Sequence, residues 1–266
     1  MPTFDLPDGT SLYYTERGEG RPLVLLNGMS QSTANWLSQS KHLAAHHRVV
    51  MYDARGQGRS ALGATPISLD DHVDDLHALL GHLAFDERPI LCGFSHGSRI
   101  ALRYAARYPL EIERLVLTSI GTNADALRQT ITRGWAEVLR LGGLEAMAWM
   151  AIPTILGEDF LAANQKHLDA MVRATLQRNT RDGLQALLDG LRQYAPPLDD
   201  VGAVVCPTLL ITSDGDLLVS TDSAAALAEA LGATHATVTG CGHTIPIEAP
   251  DTWRDHVLAF LGASDG

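Results

Sequence analysis

Short apolar runs rich in β-branched residues alternate along this chain with longer stretches of helical period. Such alternation is typical of a mainly parallel sheet with helices on both faces, where each strand is covered on two sides. We predict strands at Ser11 to Glu16, Leu23 to Asn27, Val49 to Asp53, Ile90 to Gly93, Leu115 to Ser119, Thr208 to Ser213 and Thr234 to Thr239. The predicted fold class is therefore α/β.

Composition narrows the kinds of partner. The 266 residues are 45% hydrophobic and 19% charged, which is enough apolar side chain for a sizeable core. The formal net charge of −11 repels phosphate backbones and anionic lipid surfaces. The longest run without a charged residue, Pro22 to Ser40, is too polar for a membrane-spanning helix. We expect neither nucleic acid nor a membrane as a partner, and the oligomeric state is open.

Two features favour a cytoplasmic protein. The start of the chain, Met1 to Asp5, lacks the basic residues and apolar stretch of a secretory signal. Cys92, Cys206 and Cys241 are odd in number and widely separated, which does not suit a disulfide framework.

The strand alternation stops after Ser119 and resumes at Pro207. The interval holds no strand-like run, and an amphipathic stretch around Trp135 ends at Gly142 and Gly143. We therefore predict a core built from residues 1–121 and 201–266, with a helical insertion over residues 122–200.

The strongest local motif is Gly-x-Ser-x-Gly from Gly93 to Gly97, which follows an apolar strand and precedes a helix-forming stretch. A serine on such a tight strand-to-helix turn is held in strained backbone geometry with its hydroxyl exposed, and the glycines remove Cβ atoms that would collide. The motif predicts that Ser95 is a nucleophile.

A nucleophilic serine needs a base, and the base needs an acid that orients it. Asp214 and Asp216 both follow the strand that ends at Ser213, at the edge where open α/β sheets place their sites. His243 lies in a glycine-flanked loop after the next strand. The order serine, aspartate, histidine is the one expected of a serine hydrolase on this kind of sheet.

With these motifs the chain resembles the α/β-hydrolase superfamily over essentially its whole length. The resemblance implies Asp216 as the orienting acid, because the acid usually stands three positions after the residue that closes the strand, here Ser213. Asp214 is the alternative, one register step away. The glycine-containing turn after Asp53 also resembles the family, and we expect Asp53 and Arg55 to pair there in a structural role.

The resemblance also implies an oxyanion hole made by two backbone N–H groups, those of Met29 and His96. The family usually has His-Gly-x where this chain has Asn27-Gly28-Met29. An asparagine there is similar to some enol-lactonases and could favour particular substrates, so Asn27 is a candidate pocket residue.

The helical insertion stands where this family carries its cap. Its apolar side chains would roof the site, and we expect Trp135, Trp149, Met150 and Ile155 to contribute to the substrate pocket. The implied activity is hydrolysis of a small to medium, partly apolar carboxylic ester or lactone through an acyl-enzyme on Ser95. It needs no metal and no organic cofactor.

Three alternatives stay open from the sequence. The same serine could serve a hydrolase of carbon–carbon bonds next to a ketone, or a cofactor-free perhydrolase. A ligand receptor that turns over slowly would keep the same residues, and only its kinetics would separate it from an enzyme.

Overall fold

The computed structural model describes residues 2–122 and 125–262. Its eight-stranded sheet has the order β1-β2-β4-β3-β5-β6-β7-β8. The strands are β1 (Thr3–Asp5), β2 (Ser11–Arg17), β3 (Pro22–Leu26), β4 (Arg48–Tyr52), β5 (Ile90–Phe94), β6 (Arg114–Thr118), β7 (Thr208–Ser213) and β8 (Thr234–Val238). Strand β2 pairs antiparallel with β1 and β4, and the other pairs are parallel. The predicted α/β fold is confirmed.

Helices cover both faces of this sheet. They are α1 (Leu37–Leu43), α2 (Leu69–Leu83), α3 (His96–Arg107), α4 (Ala126–Ile155), α5 (Glu158–Asn164), α6 (Leu168–Arg178), α7 (Arg181–Leu191), α8 (Thr221–Leu231), α9 (Ile245–Glu248) and α10 (Pro250–Leu261). Helices α2, α3 and α8 pack on one face, and α1 and α10 pack on the other.

The central strands are mostly apolar because both of their faces are buried. In β3, Val24 and Leu26 join the core under α2 and α3, while Leu23 and Leu25 join the core under α1 and α10. Successive side chains of a strand point to opposite faces, so a strand between two helical layers favours apolar residues at every position, and polar residues such as Thr212 and Ser213 in β7 are hydrogen-bonded.

The predicted strands are found with ends that differ by at most one residue. Asn27, Asp53, Ser119 and Thr239 lie just beyond the strands they were predicted to end, where the chain turns into loops. Strand β1 was not predicted, because three partly exposed residues carry too little alternation to be recognised.

Helices α4 to α7, which we call the cap helices, fill the interval between β6 and β7. Helix α4 is interrupted at Gly143, whose φ of 78° and ψ of −172° are not helical, so the predicted break is at the right place. The division into a core and a cap at residues 122–200 remains a prediction.

Helix α4 is long and apolar enough, by length and composition alone, to cross a membrane. Charged residues such as Arg133, Glu137 and Arg140 interrupt this helix, so no long uncharged run in the sequence marks it. In the structure Trp135, Leu139 and Met147 of this helix pack with Leu184 and Leu187 of α7 in one buried cluster.

Candidate active site

Ser95 lies on the turn between β5 and α3. Its φ of 51° and ψ of −111° are outside the regions that non-glycine residues normally occupy. A Cβ on Gly93 would come within 2.5 Å of Ser98 Cα, and a Cβ on Gly97 within 2.3 Å of the Leu26 oxygen. Only glycine fits at either position, so the Gly-x-Ser-x-Gly pattern follows from the close approach of β5, α3 and the end of β3.

The structure brings Ser95, His243 and Asp216 into one hydrogen-bonded chain. Ser95 Oγ lies 2.8 Å from His243 Nε2, and His243 Nδ1 lies 2.7 Å from Asp216 Oδ2. The other oxygen of Asp216 accepts from the N–H groups of Leu218 at 2.7 Å and Val219 at 3.1 Å. The side chain of Asp216 has no solvent exposure, and these bonds hold its carboxylate against the imidazole.

Asp214 occupies a different place. It is exposed, and its Oδ1 accepts from the Gly240 N–H at 2.9 Å. The bond ties the turn after β7 to the turn after β8 without reaching His243. Of the two aspartates left open by the motif, Asp216 is the one in contact with the histidine.

Glu248, which the sequence analysis missed, organises the loop that carries His243. Its Oε2 accepts from the N–H groups of Gly157 at 2.7 Å and Gly242 at 2.9 Å, and its Oε1 from Thr244 N at 2.9 Å. Gly157 belongs to the cap segment, so one carboxylate joins the histidine loop to the cap. No local motif marks this role, because the donors come from two distant parts of the chain.

The loop from Asn27 to Met29 lies beside the nucleophile. Within the described residues, no protein acceptor is found for the N–H of Met29 or of His96, the two predicted oxyanion donors. Gln57 Nε2 donates to the Gly28 oxygen at 2.8 Å and steadies this loop.

The prediction that Asn27 lines the pocket is wrong. Its side chain is buried, and its Nδ2 donates to the Tyr52 oxygen at 2.7 Å and lies 3.4 Å from Asp53 Oδ1. Asn27 therefore supports the loop from behind, since its amide is used by the end of β4 and faces no cavity.

The expected pair of Asp53 and Arg55 is also wrong. Asp53 accepts from the N–H groups of Thr33 at 2.6 Å and Arg59 at 2.9 Å, although burial raises the pKa of its carboxyl. Arg55 turns the other way and holds Asp75 at 2.6 Å. Asp53 thus connects two loops near the site, and Arg55 connects the turn to α2.

A cavity of about 440 Å³ opens at Ser95 and His243. Its walls are mostly apolar and come from the loop after β3 and from the cap helices. Trp135 and Ile155 line it as predicted, together with cap residues that the sequence did not single out for the pocket: Ala148, Ala151, Ala170, Met171, Val172, Ala174, Thr175 and Arg178.

Trp149 and Met150 do not line this cavity, contrary to the prediction. They are 39% and 50% exposed. The cavity-facing residues of this helix, Met147, Ala151 and Ile155, recur at helical spacing, and at 100° per residue positions 149 and 150 point away from them. The two side chains lie on the outer surface of the cap.

A second, smaller cavity of about 50 Å³ also reaches Ser95 and His243. It shares Met29, Trp135 and Leu218 with the larger one. Its remaining walls are formed by His96, Arg99, Ser119, Ile120, Arg128, Thr132, Leu191 and Val219.

The side chain of His96 is buried beside Ser95. Its Nε2 lies 3.0 Å from the hydroxyl of Tyr194, and its ring packs against His72. Burial lowers the pKa of His96 to about 4, so the imidazole is neutral at pH 7. The ring of His96 therefore lies between His72 of α2 and Tyr194, which follows α7 in the chain.

Comparison with known proteins agrees with this architecture. The sequence pattern of the α/β hydrolase fold family matches residues 21–250. The chain therefore belongs to the α/β-hydrolase fold family, and its homologues indicate a hydrolase.

Three relatives are similar along nearly their whole length. A proposed carbamate hydrolase, RutD, of Pantoea ananatis is 29% identical, with 94% of this chain and 93% of the relative covered. A non-heme haloperoxidase of Rhodococcus erythropolis is 26% identical, covering 98% and 99%. The crystal structure of an enol-lactonase from Burkholderia xenovorans LB400 is 26% identical and superposes with a TM-score of 0.89, covering 98% and 100%.

Proposed function

We propose that the protein is a serine hydrolase that cleaves small to medium, partly apolar carboxylic esters or lactones. The observation that carries the proposal is the chain from Ser95 through His243 to Asp216, at the mouth of an apolar cavity of about 440 Å³. A cavity of this size suits a small organic molecule rather than a polymer. The likeness to an enol-lactonase supports the same class of substrate.

In the acylation half-reaction, Ser95 Oγ attacks the carbonyl carbon while its proton passes to His243 Nε2. Asp216 accepts the Nδ1 proton as a hydrogen bond, which keeps the imidazole in the tautomer that can take a proton at Nε2. The negative charge that forms on the carbonyl oxygen is stabilised by the N–H groups of Met29 and His96. Among the described residues neither N–H group has a protein acceptor, so neither has to give up a hydrogen bond before it binds the oxyanion.

Collapse of the tetrahedral adduct breaks the bond to the leaving oxygen, which takes the proton from His243 Nε2. An ester then releases its alcohol, whereas a lactone keeps the new hydroxyl tethered to the acyl group. Water next repeats the attack on the acyl-enzyme, giving its proton to His243, and Ser95 leaves with that proton restored. The balance of the two steps is ester plus water to acid plus alcohol.

Hydrolysis of para-nitrophenyl butyrate by the wild type and by Ser95→Ala tests this proposal. We expect multiple turnover in the wild type and a loss of about 10⁴-fold or more in the variant, with an unchanged thermal transition. Ser38→Ala, an exposed serine on α1, is the matched control and should retain the wild-type rate. Equal turnover in Ser95→Ala would show that the nucleophile is another residue.

The same protein separates the alternatives. The likeness to a haloperoxidase favours a direct assay for peracid formation from acetate and hydrogen peroxide. A carbon–carbon hydrolase would cleave a β-diketone instead of the ester, and a slow receptor would bind without multiple turnover. Efficient ester or lactone turnover with neither of the other two reactions supports the proposed class.

A further inference from the structure

Among the residues that the structure describes, the 50 Å³ cavity beside Ser95 is lined by two arginines and by no acidic residue. It holds about the volume of one or two water molecules, which suits a small head group and excludes a long chain. Its position next to the nucleophile means that any group bound there lies a few bonds from the reacting carbonyl. The charge of the cavity wall therefore indicates the charge of the substrate group that binds there.

Arg99 has protein partners at both terminal nitrogens of its guanidinium. Its Nη1 donates to Asp200 at 2.9 Å and its Nη2 to the Ala195 oxygen at 2.8 Å. The opposite oxygen of Asp200 accepts from Arg103 at 2.7 Å. One buried carboxylate is thus shared by two guanidinium groups.

Arg128 is the other arginine, and it differs. Within residues 2–122 and 125–262, its guanidinium has no hydrogen-bond partner and no carboxylate within 4 Å. Asp125, which attracts it electrostatically, is instead hydrogen-bonded by Ser220. Arg128 is partly buried, and burial lowers its pKa from the ordinary value. A partly buried cation without a partner destabilises the folded protein, so its presence in the wall of this cavity points to a role in binding.

The position of Arg128 in its helix adds to this cost. It is the third residue of α4, in the first turn, where the helix dipole disfavours a positive charge. The hydroxyl of Thr132, one turn on, donates to the backbone oxygen of Arg128 at 3.0 Å and makes no bond to its guanidinium. Asp125, three residues earlier, attracts this charge but forms no ion pair with it among the described residues.

Other donors near the cavity also lack acceptors. The buried Nε1 of Trp135 and Nε of Arg99 have no hydrogen-bond partner among the described residues. Donors without acceptors around an acid-free cavity are what an anion-binding site requires. The N–H groups of Met29 and His96 are taken by the oxyanion of the reacting carbonyl, so the guanidinium of Arg128 is left for a second anionic group of the same molecule.

We infer that this cavity, named here the Arg128 subsite, binds a carboxylate of the substrate. The inference rests on the proposed function and makes it more specific: the substrate is an ester or lactone that carries a free carboxylate a few bonds from the scissile carbonyl, with its apolar part in the larger cavity. The guanidinium of Arg128 forms the ion pair with this carboxylate. Arg128 is thus a specificity-determining residue.

The test compares two substrates of the same shape, monoethyl succinate and ethyl levulinate, in which a methyl ketone replaces the carboxylate. Released ethanol gives kcat/KM for each at about 0.15 M salt, where the long-range field of the protein is screened. The quantity of interest is the ratio of the two values within one protein. A partial loss of folded enzyme cancels in this ratio.

We expect the wild type to prefer monoethyl succinate by about 10-fold or more, and Arg128→Gln to lower the ratio by about 10- to 100-fold, mainly through KM. Arg128→Lys should recover part of the preference. Arg133→Gln, an exposed arginine on the same helix, removes the same charge and should leave the ratio within about twofold of wild type.

An unchanged ratio in Arg128→Gln, with the esters still hydrolysed, would overturn the Arg128 subsite and leave the proposed hydrolase standing. Equal loss of preference in Arg133→Gln would also overturn it, because long-range charge would then be the cause. Absence of turnover by the wild type on both esters and on para-nitrophenyl butyrate would overturn the proposed function, and the subsite with it.

Discussion

The carboxyl edge of the sheet and the cap helices are held in place by different kinds of interaction. At the edge, buried strands and backbone hydrogen bonds fix every loop, and glycines allow contacts that a Cβ would prevent. In the cap, α4 and α7 share a buried cluster, whereas α5 has no buried residue and α6 buries only Val172. The groups proposed for the chemistry thus stand on the more constrained region, while most of the cavity wall stands on the less constrained one. Substrate range can therefore change through the cap without disturbing the proton transfers.

The largest expected effect lies at the sheet edge. Asp216→Asn should lower kcat on para-nitrophenyl butyrate by about 10⁴-fold, because the amide favours the wrong tautomer of His243. Asp214→Asn is the matched control, since its side-chain oxygen can still accept from Gly240, and its kcat should stay within about threefold. A comparable loss in both variants would mean that kcat depends on the overall negative charge at this edge of the sheet rather than on the hydrogen bond between Asp216 and His243.

A smaller effect concerns the contact between the two regions at His96 and Tyr194. The folded-state pKa of His96 is held at about 4 by burial, against 6.5 for a free histidine. Between these values the unfolded chain binds a proton that the folded chain does not, so the free energy of unfolding falls as the pH is lowered through this range. We expect the wild type to lose about 3 kcal/mol more than His96→Gln between pH 7 and pH 4.

Urea unfolding of both proteins at each pH measures this difference. His42→Gln replaces an exposed histidine on α1 and should give a curve parallel to that of the wild type. Parallel curves for wild type and His96→Gln would contradict a buried neutral imidazole beside the nucleophile.

The smallest effect lies in the cap. Ile152 lines the large cavity and Met150 lies on the outside of the same helix. Ile152→Ala should shift the preference between para-nitrophenyl hexanoate and acetate by about 10-fold, since a few methylene groups of wall are removed. Met150→Ala should leave this ratio unchanged. An equal shift in both would mean that the cap changes shape as a whole and that its two surfaces do not act separately.

Local patterns predicted the parts of this protein whose cause is local. The strands could be predicted because burial on both faces leaves continuous apolar runs, and the serine turn because each close contact demands glycine. The helical wall around Trp149 and Met150 could not be assigned, since apolar residues of a cap serve packing, cavity and surface alike. The sequence pattern does not distinguish these three uses.

Distant contacts account for the rest. Glu248 accepts a hydrogen bond from Gly157, which lies 91 residues earlier in the chain. Asn27 donates to the Tyr52 oxygen, because the ends of β3 and β4 become adjacent only after folding. Neither residue belongs to a sequence motif that predicts its partner. Arg128 is similar, because what distinguishes it is the absence of an acceptor among the described residues around it.

By itself the sequence determined the α/β class, the order of serine, acid and base, and the position of the turn that presents Ser95. These depend on periodicity and on steric limits that act over a few residues. Only the tertiary structure decided that Asp216 contacts His243 while Asp214 does not, that Trp149 and Met150 face outward, and that Arg128 lines a cavity at Ser95 with no hydrogen-bond partner among the described residues. Such choices depend on distances between segments far apart in the chain, which packing sets and local sequence does not record.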